Sequence, residues 1–299
     1  MGHSPDRTRA RIVAPHGSDP SGGGSPASAR LPRHAGAGVM GRGATPAETG
    51  SVLLAIDTSS GFGSVAVSRR GEVRARALLL RRGEQAALLV PTIEGVLEDA
   101  GVDRVDLTGI VVGRGPGSFT GVRIAAATAR GLSRGLGVPL WTWSSLAAAA
   151  ASYRAQIPAA LRAEAVPRRL DLPDEAEAWP RYVLFDARAD RLYAACYRFL
   201  PGVVEETVAP EAITLDELLQ RDLPENVLFC GDGAHRHAEV LDGEGHRILP
   251  FPAGLPTAEG LLRIHALHPD ASPESAGSRW EPDYLRPSQP EREAEVSGA

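Results

Sequence analysis

Two stretches of the chain show the same order of apolar and polar runs. In the first, the apolar run SVLLAID ends at Asp57, and SVAVSRR and EVRARALLL follow it after short turns. In the second, RYVLFDARADRLYAACYRFLPGVVEETVA contains an apolar run that ends at Asp186, a turn, another run, a turn at Gly202 and a third run. Short apolar or alternating runs bounded by turn residues are typical of β-strands. Each stretch therefore predicts three strands.

A helical pattern follows each set of strands. In the first half, the apolar positions that share one helical face are Leu89, Ile93, Val96 and Leu97. TLDELLQ at 214–220 is the shorter counterpart in the second half. An apolar strand that ends in glycine comes next, GIVVG at 109–113 and NVLFCG at 226–231, and a glycine-containing turn and a helix follow each. The unit β-β-β-α-β-α thus occurs twice and predicts an α/β protein of two similar lobes with a cleft between them.

The composition adds a domain organisation to this picture. Both ends of the chain are poor in large apolar residues, so they cannot offset the entropy of ordering and are predicted to be disordered. The segments are a disordered extension at 1–50, a first lobe at 51–153, a connector at 154–181, a second lobe at 182–286 and a disordered tail at 287–299.

Charge and residue usage exclude several classes of protein. The net charge of −5 argues against a surface that binds nucleic acid unaided. All basic side chains apart from histidine are arginines, so a P-loop lysine and a Schiff-base lysine are excluded. Cys196 and Cys230 are the two cysteines and form neither a disulfide framework nor a zinc site, which predicts a reduced, cytoplasmic protein. No apolar run is long enough for a membrane helix.

The glycine-rich stretch VVGRGPGSFTG at 111–121 first suggests a phosphate-binding loop. It lacks the lysine of a Walker A loop, and its glycines do not fit the spacing Gly-x-Gly-x-x-Gly. The residues favour a turn in which Pro116 fixes one dihedral angle and Gly117 is free to take a positive φ. Ser118 or Thr120 would cap a helix that begins near Gly121.

A second candidate is the end of the first strand, where a carboxylate and backbone N–H groups could meet a ligand. The alternative is a local turn whose side chains satisfy nearby backbone groups. The candidate ligand turn comprises Asp57, Thr58, Ser59, Gly115, Gly117 and Ser118. The histidines of CGDGAHRH (230–237) are two residues apart, so they do not share a helical face, and we predict no metal site and no catalytic residue there.

The motifs LLAIDTSSGFGSVAV, GRGPGSFTGVRI, FDARADRLYAACY, GDG and EPDYLR resemble the bacterial TsaB family, also called YeaZ, in order and spacing. The resemblance covers about residues 52–286. It implies an actin/Hsp70-like (ASKHA) fold and a non-catalytic subunit in the synthesis of N6-threonylcarbamoyladenosine beside the tRNA anticodon. The implied protein partners are a TsaD-like transferase and a TsaE-like ATPase. The resemblance also implies that the complex uses ATP and that tRNA is bound through the complex.

The resemblance also implies that subunits pair through two helices of the first lobe, here about 84–100 and 121–136. The expected interface residues are Leu88, Leu89, Ile93, Arg123, Ala127 and Arg130. The alternative for the apolar members is that they face their own lobe. Relatives of the TsaD type carry a His-x-x-x-His metal site on the second helix, which here reads GVRIAAATARGLSRGL without histidine. A homodimer is an alternative state of the isolated chain.

The sequence also leaves open a function of another class. A stand-alone ATP-dependent enzyme of the same fold would use Asp57 and the two glycine turns around the nucleotide. A zinc peptidase would need three ligands around an open site, and no spacing in the chain supplies them. Arginines along 114–134 would assist a complex in holding tRNA.

Overall fold

The computed structural model describes residues 50–80, 83–152, 172, 174–275 and 280–285. The predictions for 1–50 (apart from Gly50), for most of the connector and for 287–299 lie outside the described residues. Within them the chain forms two lobes, each built on a five-stranded sheet.

The first lobe is a mixed sheet with two long helices on one face. Its strands are β1 (Val52–Asp57), β2 (Gly63–Arg69), β3 (Glu72–Leu79), β4 (Gly109–Gly113) and β5 (Leu140–Trp143), in the order β3-β2-β1-β4-β5. Strands β1 to β3 pair antiparallel, whereas β4 and β5 run parallel to β1. Parallel neighbours require crossover connections. Helices α1 (Gln85–Ala100) and α2 (Phe119–Leu136) supply them.

The second lobe repeats this arrangement. Its strands are β6 (Arg181–Asp186), β7 (Leu192–Leu200), β8 (Val203–Ile213), β9 (Leu228–Cys230) and β10 (Arg247–Ile248), in the order β10-β9-β6-β7-β8. Read from β8, this order is the same as that of the first sheet read from β3. The short helices α4 (Leu215–Leu219), α5 (Asp232–Arg236) and α6 (Ala238–Gly243) connect these strands. Helix α3 (Ser145–Ala151) precedes the second sheet in the chain, and α7 (Ala258–Ala266) follows it. The predicted double β-β-β-α-β-α repeat is confirmed, and each unit extends by one more strand and helix.

Helices α3 and α7 join the two lobes. Helix α7 packs on the face of the first sheet opposite α1 and α2, and α3 packs on the second sheet. The two helices also pack on each other, and they approach closely because a Cβ on Gly260 would lie 2.2 Å from the carbonyl oxygen of Ala148. Every residue of α3 is buried, which explains its run of alanines. The first sheet is therefore covered on both faces.

The helices differ from the predictions in detail. Leu89, Ile93, Val96 and Leu97 form the buried face of α1, as the periodicity predicts. Helix α2 begins at Phe119, two residues before the predicted start. Ser118 is its N-cap and its Oγ accepts from the N–H of Gly121 at 3.3 Å, so Thr120 is not the cap. The helix expected after β9 is divided into α5 and α6 at His237.

Candidate functional site

The carboxylate of Asp57 at the end of β1 is buried and accepts three hydrogen bonds. Its Oδ1 accepts from the N–H of Ser59 at 2.8 Å and from the Ser59 hydroxyl at 2.6 Å. Its Oδ2 accepts from the hydroxyl of Ser145 at 2.7 Å. Burial raises the pKa of Asp57 above its ordinary value, and the hydrogen bonds from Ser59 and Ser145 oppose that shift. The carboxylate therefore bonds within the chain, which supports the alternative of a local turn.

The glycine-rich stretch at 111–121 packs closely against residues 57–59, the turn that follows β1. A Cβ would lie 2.0 Å from Asp57 Oδ2 if built on Gly113, 2.2 Å from the Ser59 carbonyl oxygen on Gly117, and 1.9 Å from the Thr58 carbonyl oxygen on Gly121. Two hydrogen bonds close the contact: Ser118 N–H donates to Ser59 O at 2.6 Å, and the Thr58 hydroxyl donates to Gly121 O at 2.6 Å. Gly117 and Gly121 thus allow close approach of the backbone, and Gly113 leaves room for the Asp57 carboxylate.

Gly115 takes the left-handed conformation of this turn. Its φ is 95°, whereas Gly117, the glycine expected to be free for a positive φ, does not take one. Ser145 holds Gly115 from both sides: its N–H donates to Gly115 O at 2.7 Å, and its Oγ accepts from Gly115 N–H at 3.2 Å. The six residues of the candidate ligand turn do lie together. Their polar groups bond to one another and to Ser145 and Gly121, which supports the alternative of a local turn.

The second glycine turn is also used for packing. A Cβ on Gly231, whose φ is 98°, would lie 2.3 Å from the Leu184 carbonyl oxygen. Asp232 accepts from the N–H of Asp186 at 3.2 Å, and burial raises its pKa. The ring of His235 contacts Phe251, and burial lowers the pKa of this histidine. In the part of the chain that the structure describes, no three His, Cys, Asp or Glu side chains are grouped to hold a metal.

The expected interface residues of α1 lie in or against the core of their own lobe. Leu89 and Ile93 lie inside the core of their own lobe, with 0% and 3% of their surface exposed, and Leu88 is half-buried against the same core. These placements support the alternative that the apolar positions face their own lobe. The exposed face carries Val90, which is 51% exposed, and Pro91.

The expected interface residues of α2 remain on the surface. Arg123 and Ala127 are exposed, and Arg130 is half-buried. Positions where a Cβ would meet no atom within 4 Å are found further along the helix, at Gly131 and Gly135. Val90 and these two glycines are not among the interface residues expected from the sequence. An apolar residue off the buried face of α1 and two glycines inside a helix were the available signals.

The architecture of the two lobes defines a class of protein. Two α/β lobes with the same strand order and a pair of helices between them form the actin/Hsp70-like (ASKHA) fold. None of the helices in the described residues is long and apolar enough to cross a membrane.

Comparison with known proteins gives the family. A family model described as "TsaD: tRNA N6-adenosine threonylcarbamoyltransferase" matches residues 84–233, half of the chain. The tRNA threonylcarbamoyladenosine biosynthesis protein TsaB of Bacillus subtilis is 29% identical over 194 residues, which cover 64% of this chain and 75% of that protein. The TsaB protein of Escherichia coli is 39% identical over 94 residues, 31% of this chain and 40% of that protein.

A solved structure agrees with these matches. It is a Pseudomonas aeruginosa protein described as similar to the peptidase YeaZ, with 28% identity and a TM-score of 0.60, and the match covers 79% of this chain and 100% of that chain. The chain belongs to the TsaB family, also called YeaZ, within the wider family that the TsaD model describes.

Proposed function

We propose that this chain is a non-catalytic subunit of the machinery that makes N6-threonylcarbamoyladenosine in tRNA, and that it acts by binding a TsaD-like transferase. Membership of the TsaB family supports involvement in this pathway. The chain activates its partner by docking, and a TsaE-like ATPase joins the pair. ATP is consumed by the complex, and tRNA is held by the complex in the cytoplasm.

The observation that carries this proposal is the outer surface of α1 and α2, which we call the docking face. It is lined by Val90 and Pro91 of α1 and by Ala127, Gly131 and Gly135 of α2. Glycine inside a helix costs about 1 kcal/mol relative to alanine. Gly131 and Gly135 fit no neighbour within the chain, so close approach by a helix of another subunit is the use that we propose for them.

A catalytic role for this chain alone has less support. The 18 residues of α2 contain no histidine, so the metal ligands that the resemblance associates with the transferase have no counterpart on this helix. The alternative of a stand-alone ATP-dependent enzyme relied on Asp57, and the carboxylate of Asp57 is already bonded to Ser59 and Ser145.

Reconstitution of the reaction tests the proposal. The full chain is mixed with the TsaD-like and TsaE-like proteins of the same organism, unmodified tRNA, ATP and the threonylcarbamoyl adenylate, and the modified nucleoside is measured by mass spectrometry. We expect a stable complex with the TsaD-like protein, modification only when this chain is present, and none from this chain alone. Full modification without it would contradict the proposal.

A further inference from the structure

The segment at 280–285, which we call the C-terminal segment, returns to the first lobe and lies alongside α2. Trp280 packs against the core of the first lobe, and the guanidinium of Arg130 lies 5.8 Å from the centroid of its ring. Asp283 is attached at two points to Arg114: its carboxylate is 2.9 Å from Arg114 Nε, and its N–H donates to the Arg114 carbonyl at 2.8 Å. The segment is thus fixed beside the docking face.

At the end of this segment, Tyr284 holds Arg123 against the first turn of α2. Arg123 Nε donates to the Tyr284 hydroxyl at 2.8 Å, and its guanidinium carbon lies 3.6 Å from the centroid of the Phe119 ring. The two aromatic rings are 5.2 Å apart. Contacts of this kind restrict the arginine to one orientation and reduce the entropy that it would lose on binding.

These three side chains remain open to a partner. Phe119 is 36% exposed and Tyr284 is 39% exposed, although the two rings contact each other. Among the described residues, Arg123 contacts these two rings and forms no ion pair. Helix α2 itself contains no aspartate or glutamate. An arginine whose plane is fixed and which lacks an acid is suited to a carboxylate.

We propose that Phe119, Arg123 and Tyr284 extend the docking face and receive an acidic side chain of the TsaD-like partner, so that the C-terminal segment is part of the interface. This inference rests on the proposed function. Arg123 lies one helical turn from Ala127, on the same face of α2, so the cluster continues the surface already described. Exposed aromatic residues next to arginine are typical of the residues that dominate protein interfaces.

A protein partner fits the cluster better than RNA does. The chain has a net charge of −5, which weakens the long-range attraction that RNA binding requires. Arg114, which also contacts the C-terminal segment, is already paired with Asp283. A single oriented arginine between two aromatic rings serves one carboxylate, whereas a phosphate backbone is bound by several cations.

The test compares the affinities of full-length variants for the TsaD-like protein of the same organism by calorimetry. Arg123→Gln and Tyr284→Ala should each weaken binding by about ten- to thirtyfold. Tyr284→Phe keeps the aromatic ring, so it should weaken binding less than Tyr284→Ala does. Arg74→Gln on β3 is the matched control, because Arg74 is 52% exposed and lies on another element, and it should bind like the unaltered chain.

Other results overturn the inference. Thermal unfolding of each isolated variant shows whether folding is intact, and the charge reversal Arg123→Glu should weaken binding more than Arg123→Gln without a change in that transition. Unchanged affinity in Arg123→Gln, Arg123→Glu and Tyr284→Ala overturns the inference while the proposed function stands. Weaker tRNA binding by a complex that assembles normally assigns the cluster to RNA and also overturns it. Failure of the unaltered chain to bind contradicts the proposed function itself.

Discussion

Gly121 at the start of α2 lies directly against the backbone of Thr58, so that a Cβ on Gly121 would be 1.9 Å from the Thr58 carbonyl oxygen. The contact is reinforced by the Thr58 hydroxyl, which donates to the Gly121 carbonyl at 2.6 Å. Since backbone cannot move aside as a flexible side chain can, the start of α2 has no room for a methyl group. The helix that carries the docking face is thereby attached to β1.

Replacement of Gly121 by alanine should therefore destabilise the chain. We expect Gly121→Ala to lower the free energy of unfolding by about 1–3 kcal/mol or more, as for other insertions into packed sites. Urea unfolding followed by circular dichroism measures the change.

Gly131 on the same helix is the matched control for this substitution. A Cβ there meets no atom within 4 Å, so Gly131→Ala should raise the free energy of unfolding by about 0.5–1 kcal/mol through helix propensity alone. Equal effects of the two substitutions would show that the contact with Thr58 does not limit Gly121.

The periodic pattern of the sequence was sufficient to predict both lobes. Strand alternation located β1 to β3 and β6 to β8, and the helical spacing of Leu89 and Ile93 located the buried face of α1. The strands β5 and β10, at four and two residues, are too short for a clear pattern, and this explains why the repeat was predicted without its last elements.

The candidate site was harder to predict because its meaning depends on contacts between distant segments. The sequence indicates that Asp57 ends a strand and that Gly117 lies in a turn. It does not indicate that Ser145, 88 positions after Asp57, occupies the carboxylate. Nor does spacing show that Tyr284 lies beside Arg123, 161 positions earlier. Local patterns specify elements, whereas these pairs depend on how the elements pack.

The buried carboxylate of Asp57 should make stability depend on pH in a defined direction. Its pKa is raised in the folded chain above the ordinary value of 3.8, so the folded state holds this proton at pH values where the unfolded state has lost it. Its contribution to stability therefore decreases as the pH rises from about 3.8 through the raised pKa, and stays low above it. We expect Asp57→Asn to remove this part of the dependence, as measured by urea unfolding at several pH values.

The same substitution has an expected result near neutral pH. The amide oxygen that Asp57→Asn introduces can still accept from Ser59, and the Ser145 hydroxyl can accept from the new amide nitrogen, so stability should be equal to or higher than that of the unaltered chain. Ser145→Ala is the comparison, because it removes a hydrogen bond to the carboxylate and should be destabilising. A large loss of stability in Asp57→Asn at every pH would show that the ionised carboxylate is the stabilising form.

Nucleotide binding by the isolated chain should be weak or absent. The Asp57 carboxylate is buried and bonded to two serines, and Ser118 and Ser59 are joined to each other through the backbone. Calorimetry with Mg-ATP should give no measurable heat at micromolar protein. The TsaE-like ATPase under the same conditions is the positive control. Tight binding with turnover by this chain would favour the stand-alone enzyme and contradict the scaffold role.

A charged side chain on the outer face of α1 should prevent docking without affecting the fold. Val90 is 51% exposed and lies within the docking face, so Val90→Arg should leave thermal unfolding unchanged and weaken the complex with the TsaD-like protein about tenfold or more. Val203 at the start of β8 is the matched control, because it is 44% exposed and lies in the other lobe. Val203→Arg should bind normally, and equal loss of affinity in both variants would place the docking face elsewhere.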